Sequence, residues 1–289
     1  MTFPALSIKD SINALVNWLV AHWGDQLHAV SDFLLQWLLV PLESVLRGTP
    51  PWLVLLIVAG LAAYATRDWK RTALWVGLLF LIGCFGLWDA LMQTLAIVLL
   101  STLLTVLIGL PLGIAMARND RLRAVVLPVL DVMQTLPSFV YLIPVLMLFG
   151  LGKVPAIFAT LVYALPPLAR MTDLGIRQVD SEVLEAAEAF GSNRWQLLFL
   201  VQLPLARPSI LAGVNQATML ALSMVVLASM IGARGLGEDV LVGIQTLDVG
   251  RGLQAGLAIV VLAIVMDRIS QAFGQDRRQK LALSRGDAR

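Results

Sequence analysis

The stretch DSEVLEAAEAFGSNRWQLLFLVQLP, residues 180–204, is a polar, helix-forming segment set between long apolar runs. Asp180 or Ser181 is placed to cap a helix start, and Glu182 and Glu185 then sit near its positive end. Val183, Leu184, Ala187 and Phe190 supply a small apolar face. Gly191 is where such a helix stops, because glycine takes the left-handed conformation after a helix without strain. Ser192 or Asn193 is placed to cap a second helix over 194–203. Pro204 and Pro208 are then expected to break the chain and return it to the apolar runs. The segment therefore reads as helix, glycine turn, helix.

Those flanking runs decide the class. The chain has 289 residues, is 58% hydrophobic and 14% charged, and its mean hydropathy is +0.83. A soluble domain carries about 25% charged residues. Most of this chain must therefore be solvated by lipid. A crossing helix needs about 20 mostly apolar residues. Segments 51–66, 72–88, 91–117, 124–150, 154–169, 208–231 and 252–269 qualify or nearly do. The expected fold is an all-α polytopic membrane protein with about seven transmembrane helices. Three regions are expected: an N-terminal part, 1–50; a transmembrane part, 51–273, holding the polar loop 178–204; and a polar tail, 274–289.

Segment 27–46 carries Asp32, Gln36 and Glu43 on one helical face, which reads better as an amphipathic helix in the membrane interface than as a span. A weaker helix of the same kind is expected over 11–23. Met1 to Asp10 shows no basic region followed by a short apolar core and a small-residue cleavage site, so no cleaved leader is expected. Trp52, Trp69, Trp75 and Trp88 lie near span ends, where indole rings anchor to headgroups.

Basic residues mark the cytoplasmic side. One set of loops holds Arg67, Lys70 and Arg71; Arg118, Arg121 and Arg123; Arg170, Arg177, Arg194 and Arg207; and Arg268 with the basic tail. The other set holds only Lys9, Arg47, Lys153, Arg234 and Arg251. This places loop 178–204 in the cytoplasm. With seven spans, the N-terminus is expected outside and the C-terminus inside. The expected location is the inner, cytoplasmic membrane of a bacterium.

The pattern Glu185-Ala186-Ala187, three residues, Gly191, nine residues, Val201, any residue, Leu203-Pro204 resembles the coupling-loop signature of ATP-binding cassette importer permeases. Val201 stands where that family most often has Ile. The runs LPLGI (110–114), LDVMQTLPSFVYLIP (130–144), MLFGLG (147–152), ALPPLAR (164–170), GVNQATMLALSMVVLASM (213–230) and Gly235-Leu236-Gly237 resemble the glycine betaine/proline permease branch. The resemblance runs over residues 90–270, and the first 50 residues carry little of it. It implies a translocation pore built from two permease subunits, with a second copy as the expected partner. It also implies a separate cytoplasmic ATPase that carries the ATP, and a separate substrate-binding protein. Glu185, Ala186, Ala187, Gly191, Leu203 and Pro204 would form the ATPase-coupling element. The implied substrate is glycine betaine, proline betaine, choline, carnitine or a similar osmolyte. Another small solute such as an amino acid is the alternative.

Other features are weaker. Asp131 and Gln134 sit inside an apolar run, and an intramembrane acid is a functional candidate by default. Asp131 reads either as lining a pathway or as capping a helix broken near Pro128 and Pro137, and the second reading is the simpler. Asn215 either bonds a neighbouring helix or lines the pore. The proline-rich centre, with Phe139 and Tyr141, is the expected pore wall, since broken helices persist in membranes only inside protein or beside water. Gly150-Leu151-Gly152-Lys153 lacks the glycine spacing and the Ser/Thr of a phosphate loop. No cofactor, metal or nucleotide is expected on this chain, and no nucleic acid. His22 and His28 have no metal-ligand company, and Cys84 is single. An ion-coupled secondary transporter should show inverted repeats and paired intramembrane charges, and neither is visible.

Overall fold

The structure, a computed structural model, describes residues 9–66 and 68–274; all regular structure among them is helical. Residue 67, the first eight residues and the tail beyond 274 lie outside the described residues, and so do the basic residues counted there.

The N-terminal region differs from the expected pair of helices. It is one continuous helix, α1 (Lys9–Gly48), of 40 residues. No breaker divides residues 11–23 from 27–46, and Pro41 follows a wide π-helical turn, Leu34–Leu39. Such a turn lengthens the hydrogen-bond register and accommodates a residue with no N–H. α1 meets the length and apolarity of a membrane span. Two short helices follow, α2 (Pro51–Thr66) and α3 (Trp69–Cys84), packed on each other. The Asp68 side chain caps α3 by accepting from Lys70 N at 3.0 Å. Trp52 and Trp69 are exposed at helix ends, but Trp75 is buried in the core beside Leu79 and Leu91, which does not suit an interface anchor.

The body of the protein is built on α4 (Trp88–Arg118), α7 (Lys153–Arg177) and α9 (Arg194–Ser223). α7 is the central element and lies between the other two. Many of its buried side chains are small, among them Ala156, Ala159, Thr160, Ala164, Ala169 and Thr172. Lipid tails give no hydrophobic drive for helix pairing, so association depends on close backbone approach through small residues. Gly109 and Gly113 of α4, one turn apart, supply that approach. A Cβ at Gly113 would lie 2.5 Å from Thr172 Cβ and 2.6 Å from the Ala169 carbonyl oxygen. Gly113→Ala should therefore cost about 1–3 kcal/mol through overpacking. Thermal unfolding of the purified protein in detergent checks this as a lowered midpoint. Buried hydroxyls bond within their own helices, Thr105 to the Ser101 carbonyl and Thr160 to the Ala156 carbonyl, each at 2.7 Å.

The expected span 124–150 is two helices, α5 (Asp120–Thr135) and α6 (Ser138–Phe149), bent by 102° at their junction. Pro137 explains the break, because it holds the preceding Leu136 in extended backbone. The intrahelical prolines Pro111, Pro128, Pro144, Pro166, Pro167 and Pro208 are absorbed without a comparable break, so Pro128 does not break α5 as expected. Pro204 and Pro208 likewise do not interrupt the chain as expected. α9 runs continuously from Arg194 to Ser223, with Pro204 just after a second π-helical turn, Leu197–Gln202. Beyond Ser223 the chain forms α10 (Val225–Ser229), α11 (Leu236–Thr246) and α12 (Val249–Gly274). By length and apolarity, five helices could cross a membrane, or six with the bent pair counted as one, among the described residues. The expected seven is not reproduced by that test, because α2 and α3 are shorter than a full crossing.

Candidate functional site

The polar segment folds as its residues dictate. Asp180 accepts from Glu182 N at 2.9 Å and caps α8 (Ser181–Ala189). At the other end Gly191 has φ +86. Its N–H bonds the Glu188 carbonyl at 2.8 Å, and Ser192 N–H bonds the Ala187 carbonyl at 3.1 Å. This paired arrangement closes the helix and needs a left-handed residue at Gly191. Asn193, not Ser192, caps α9: its side chain accepts from Trp195 N and Gln196 N, while Gln196 returns a bond to Asn193 N at 2.9 Å. Both ends of the turn are thus fixed, and the angle between α8 and α9 is set locally.

No residue of α8 is buried. Glu185 and Ala186 are exposed, Ala187 is half-buried, and the helix packs against the π-helical turn. Phe190 is 93% exposed, and Trp195, Phe199 and Leu200 are exposed beside it. Leu203 is half-buried and Pro204 exposed at the end of the segment. The segment thus carries its own caps and an exposed apolar surface, the kind of feature that marks interaction sites in general.

Beneath it lies a charge network. The Asp173 carboxylate on α7 is only 3% exposed and bridges Arg123 and Arg177, each at 2.9 Å. Arg177 also donates to the Met116 carbonyl at 2.9 Å and pairs with Asp120 at 2.6 Å. Arg118 donates to the Arg194 carbonyl at 3.2 Å and lies over the Trp195 ring at 5.0 Å. Arg118 thus ties the end of α4 to the start of α9, and the other contacts tie that end of α4 to α5 and α7. The sequence reading missed this network. An acid and a base one turn apart on α7, Asp173 and Arg177, were the available signal.

At the other end of α7 a second network joins α1. Glu43 pairs with Lys153 at 2.7 Å, Gln93 accepts from Lys153 at 3.1 Å, and Arg47 pairs with Asp89 at 2.5 Å.

The candidate pore residues are dispersed. Asp131 on α5 pairs with Arg170 on α7, so its carboxylate links two helices rather than capping one. Gln134 and Phe139 are exposed on either side of the bend. Tyr141 is buried, with its hydroxyl donating to the Met133 carbonyl across the bend. Asn215 is half-buried and donates to Asp267 on α12 at 2.7 Å. No group of three or more metal-ligating side chains is found among the described residues.

The family described as "Binding-protein-dependent transport system inner membrane component" matches residues 109–279. The glycine betaine/proline betaine transport system permease protein ProW of Escherichia coli is 44% identical over 271 residues, 92% of this chain and 74% of that protein. The glycine betaine transport system permease protein OpuAB of Bacillus subtilis is 42% identical, over 93% of this chain and 94% of that one. The glycine betaine/carnitine transport permease protein GbuB of Listeria monocytogenes is 48% identical over 80% of this chain and 83% of its own length. Among solved structures, the inward-facing MetNI methionine ABC transporter aligns with TM-score 0.56 at 22% identity, over 63% of this chain and 91% of that chain. At that identity the likeness is one of fold.

Proposed function

This chain belongs to the family of binding-protein-dependent transport system inner membrane components, and on that premise we propose how it works as the permease subunit of an ATP-dependent importer. It is a multi-pass membrane protein and not an enzyme. ATP is bound and hydrolysed on a separate subunit. The finer reading is that α8 and the turn at Gly191 dock on that ATPase. Glu185, Ala186 and Ala187 present the helix, Gly191 sets its angle, and Leu203 and Pro204 join it to α9. The observation that carries this reading is the exposure of α8, none of whose residues is buried within the chain. Closure of the ATPase pair would move α8, and the charge network around Asp173 would pass the motion to α4, α5 and α7 as a rigid-body shift.

The proposed substrate is a quaternary ammonium osmolyte of the glycine betaine, proline betaine, choline or carnitine kind, delivered by a separate binding protein. The relatives' names support this class. The proposed assembly pairs two copies of the chain in the inner membrane, with the C-terminus cytoplasmic. The N-terminus lies outside on seven crossings counted from residue 51. That reading requires α1 to lie along the membrane rather than through it. Asp131, Gln134, Phe139, Tyr141 and Asn215 remain the proposed pore region.

The test is uptake of labelled glycine betaine by vesicles holding permease and ATPase, with the binding protein and ATP supplied and ion gradients collapsed. Uptake that needs ATP supports the reading, and uptake driven by an ion gradient alone overturns it. Phe190→Ala should weaken ATPase binding by about tenfold or more, as removal of an exposed aromatic anchor does. Co-purification of the two subunits as a function of concentration checks it.

A further inference from the structure

Large apolar side chains are exposed on several helices, and an exposed apolar row in a membrane protein suits lipid by default. α2 is the plain case. It exposes Trp52, Leu56 and Ile57, has no charged residue over Pro51–Thr66 and runs without a break. The backbone groups within such a helix pair with one another, so hydrocarbon covers it without leaving a polar group unsatisfied.

α5 exposes a comparable row, Val125, Val129, Val132 and Leu136. Its setting is different. The row runs into the 102° bend that divides α5 from α6, two helices that together have the length and apolarity of one span. Residues 134–137 at the bend are exposed. Leu136 is extended, Pro137 has no N–H to offer, and no side chain caps the start of α6. The last carbonyls of one helix and the first N–H groups of the next have no partners within their own helices. The Tyr141 hydroxyl serves one of them, the Met133 carbonyl. The Asp131 side chain is 62% exposed and Gln134 is exposed as well. Lipid tails offer such groups nothing, and broken backbone at membrane depth persists only against protein or water. The side of the molecule that carries this bend is therefore not a lipid face.

A second copy of the chain fits it. In a two-fold pair the same patch serves both subunits, so it must not repel its own image. The four residues of the row are uncharged, and the Asp131 carboxylate is already paired with Arg170. Two such surfaces can meet without bringing unpaired carboxylates together. The apolar row then gives close packing, and the polar bend faces the water of the pathway between the copies.

We propose that Val125, Val129, Val132 and Leu136 form the seam on which a second copy packs, with the bend at residues 134–137 turned to the space between the two. The proposal rests on the two-copy importer reading above and names the surface that such a pair would use.

The experiment is thiol cross-linking in membranes that hold the whole permease–ATPase complex. Two differently tagged copies are expressed together in a Cys84→Ser background. Cysteine replaces each of the four row residues, singly and in combinations across the two copies, and a short bismaleimide is added before solubilisation. Side chains held together in a seam are at high effective concentration, so a product carrying both tags should exceed that from Leu56→Cys on α2 by about tenfold or more. All of these positions except Leu136 are well exposed, and retention of the ATPase by each variant reports that it has assembled. A doubly tagged product at the row and not at Leu56 supports the seam. Its absence at every row position, or an equal yield at Leu56, overturns it. A row position that links instead to a different membrane protein also overturns it, because the partner is then not a second copy. ATP-driven uptake by the Cys84→Ser complex is scored separately. Its absence would count against the importer reading, while the cross-links alone decide the seam.

Discussion

Replacing Gly191 by Val is expected to abolish ATP-driven uptake while the permease still inserts in the membrane at its normal level. The residue sits at φ +86, and no atom lies within 4 Å of where its Cβ would be. Space is therefore not the obstacle. The obstacle is the backbone, where a left-handed conformation costs an L-residue about 1–2 kcal/mol, and more for a branched side chain. The turn would relax to another conformation, losing the bonds of Gly191 and Ser192 to the end of α8. α8 would then leave α9 at a different angle, and Phe190 would no longer face the same way. Gly191→Asn is the control, because Asn tolerates this conformation, and it should keep most of the transport. Uptake by the Val variant at the unaltered rate would remove the coupling role from this turn.

Asp173→Ala is expected to cost about 3 kcal/mol of stability, the lower end of the range for breaking a buried ion pair because both arginine partners are partly exposed. Two guanidinium groups would lose the carboxylate they share, and α5 would lose its Arg123 tie to α7, leaving only the contacts of Arg177 with Met116 and Asp120. The melting temperature should fall by several degrees, and α5 should become accessible to protease between Asn119 and Pro137. Asp173→Asn, which keeps an acceptor, should fall less. Equal melting of the Ala variant and the unaltered protein would show that the network carries little of the fold.

Local chemistry was the part of this structure most legible in the sequence. Asp180, Gly191 and Asn193 announced the helix–turn–helix of the polar segment, because caps and left-handed glycines depend on neighbours along the chain. The all-helical membrane class followed from composition for a similar reason. Continuity of helices was harder to read. Prolines at 204 and 208 looked like breakers, yet a π-helical turn precedes the first, and the second is carried within a long helix. Pro137 looked the same and did break its helix. The difference lies in the packing around each site, which local propensity does not contain. The networks at Asp173, Glu43 and Asp267 join residues 50 or more positions apart. Their partners become visible only when the helices are set side by side.

The two charge networks sit at opposite ends of a single helix. α7 is clasped through Lys153 at one end and through Asp173 and Arg177 at the other, with small residues along the length between them. At 1.5 Å per residue its span is about 37 Å. A rigid bar packed along its middle can pivot there: a tilt imposed at the Asp173 clasp would reappear, reversed in direction, at the Lys153 one. The chain's N-terminal helix is gripped by that far clasp. Work done on α8 would therefore be felt first not along the bar but at Glu43, in the region that the sequence made look least connected to the rest.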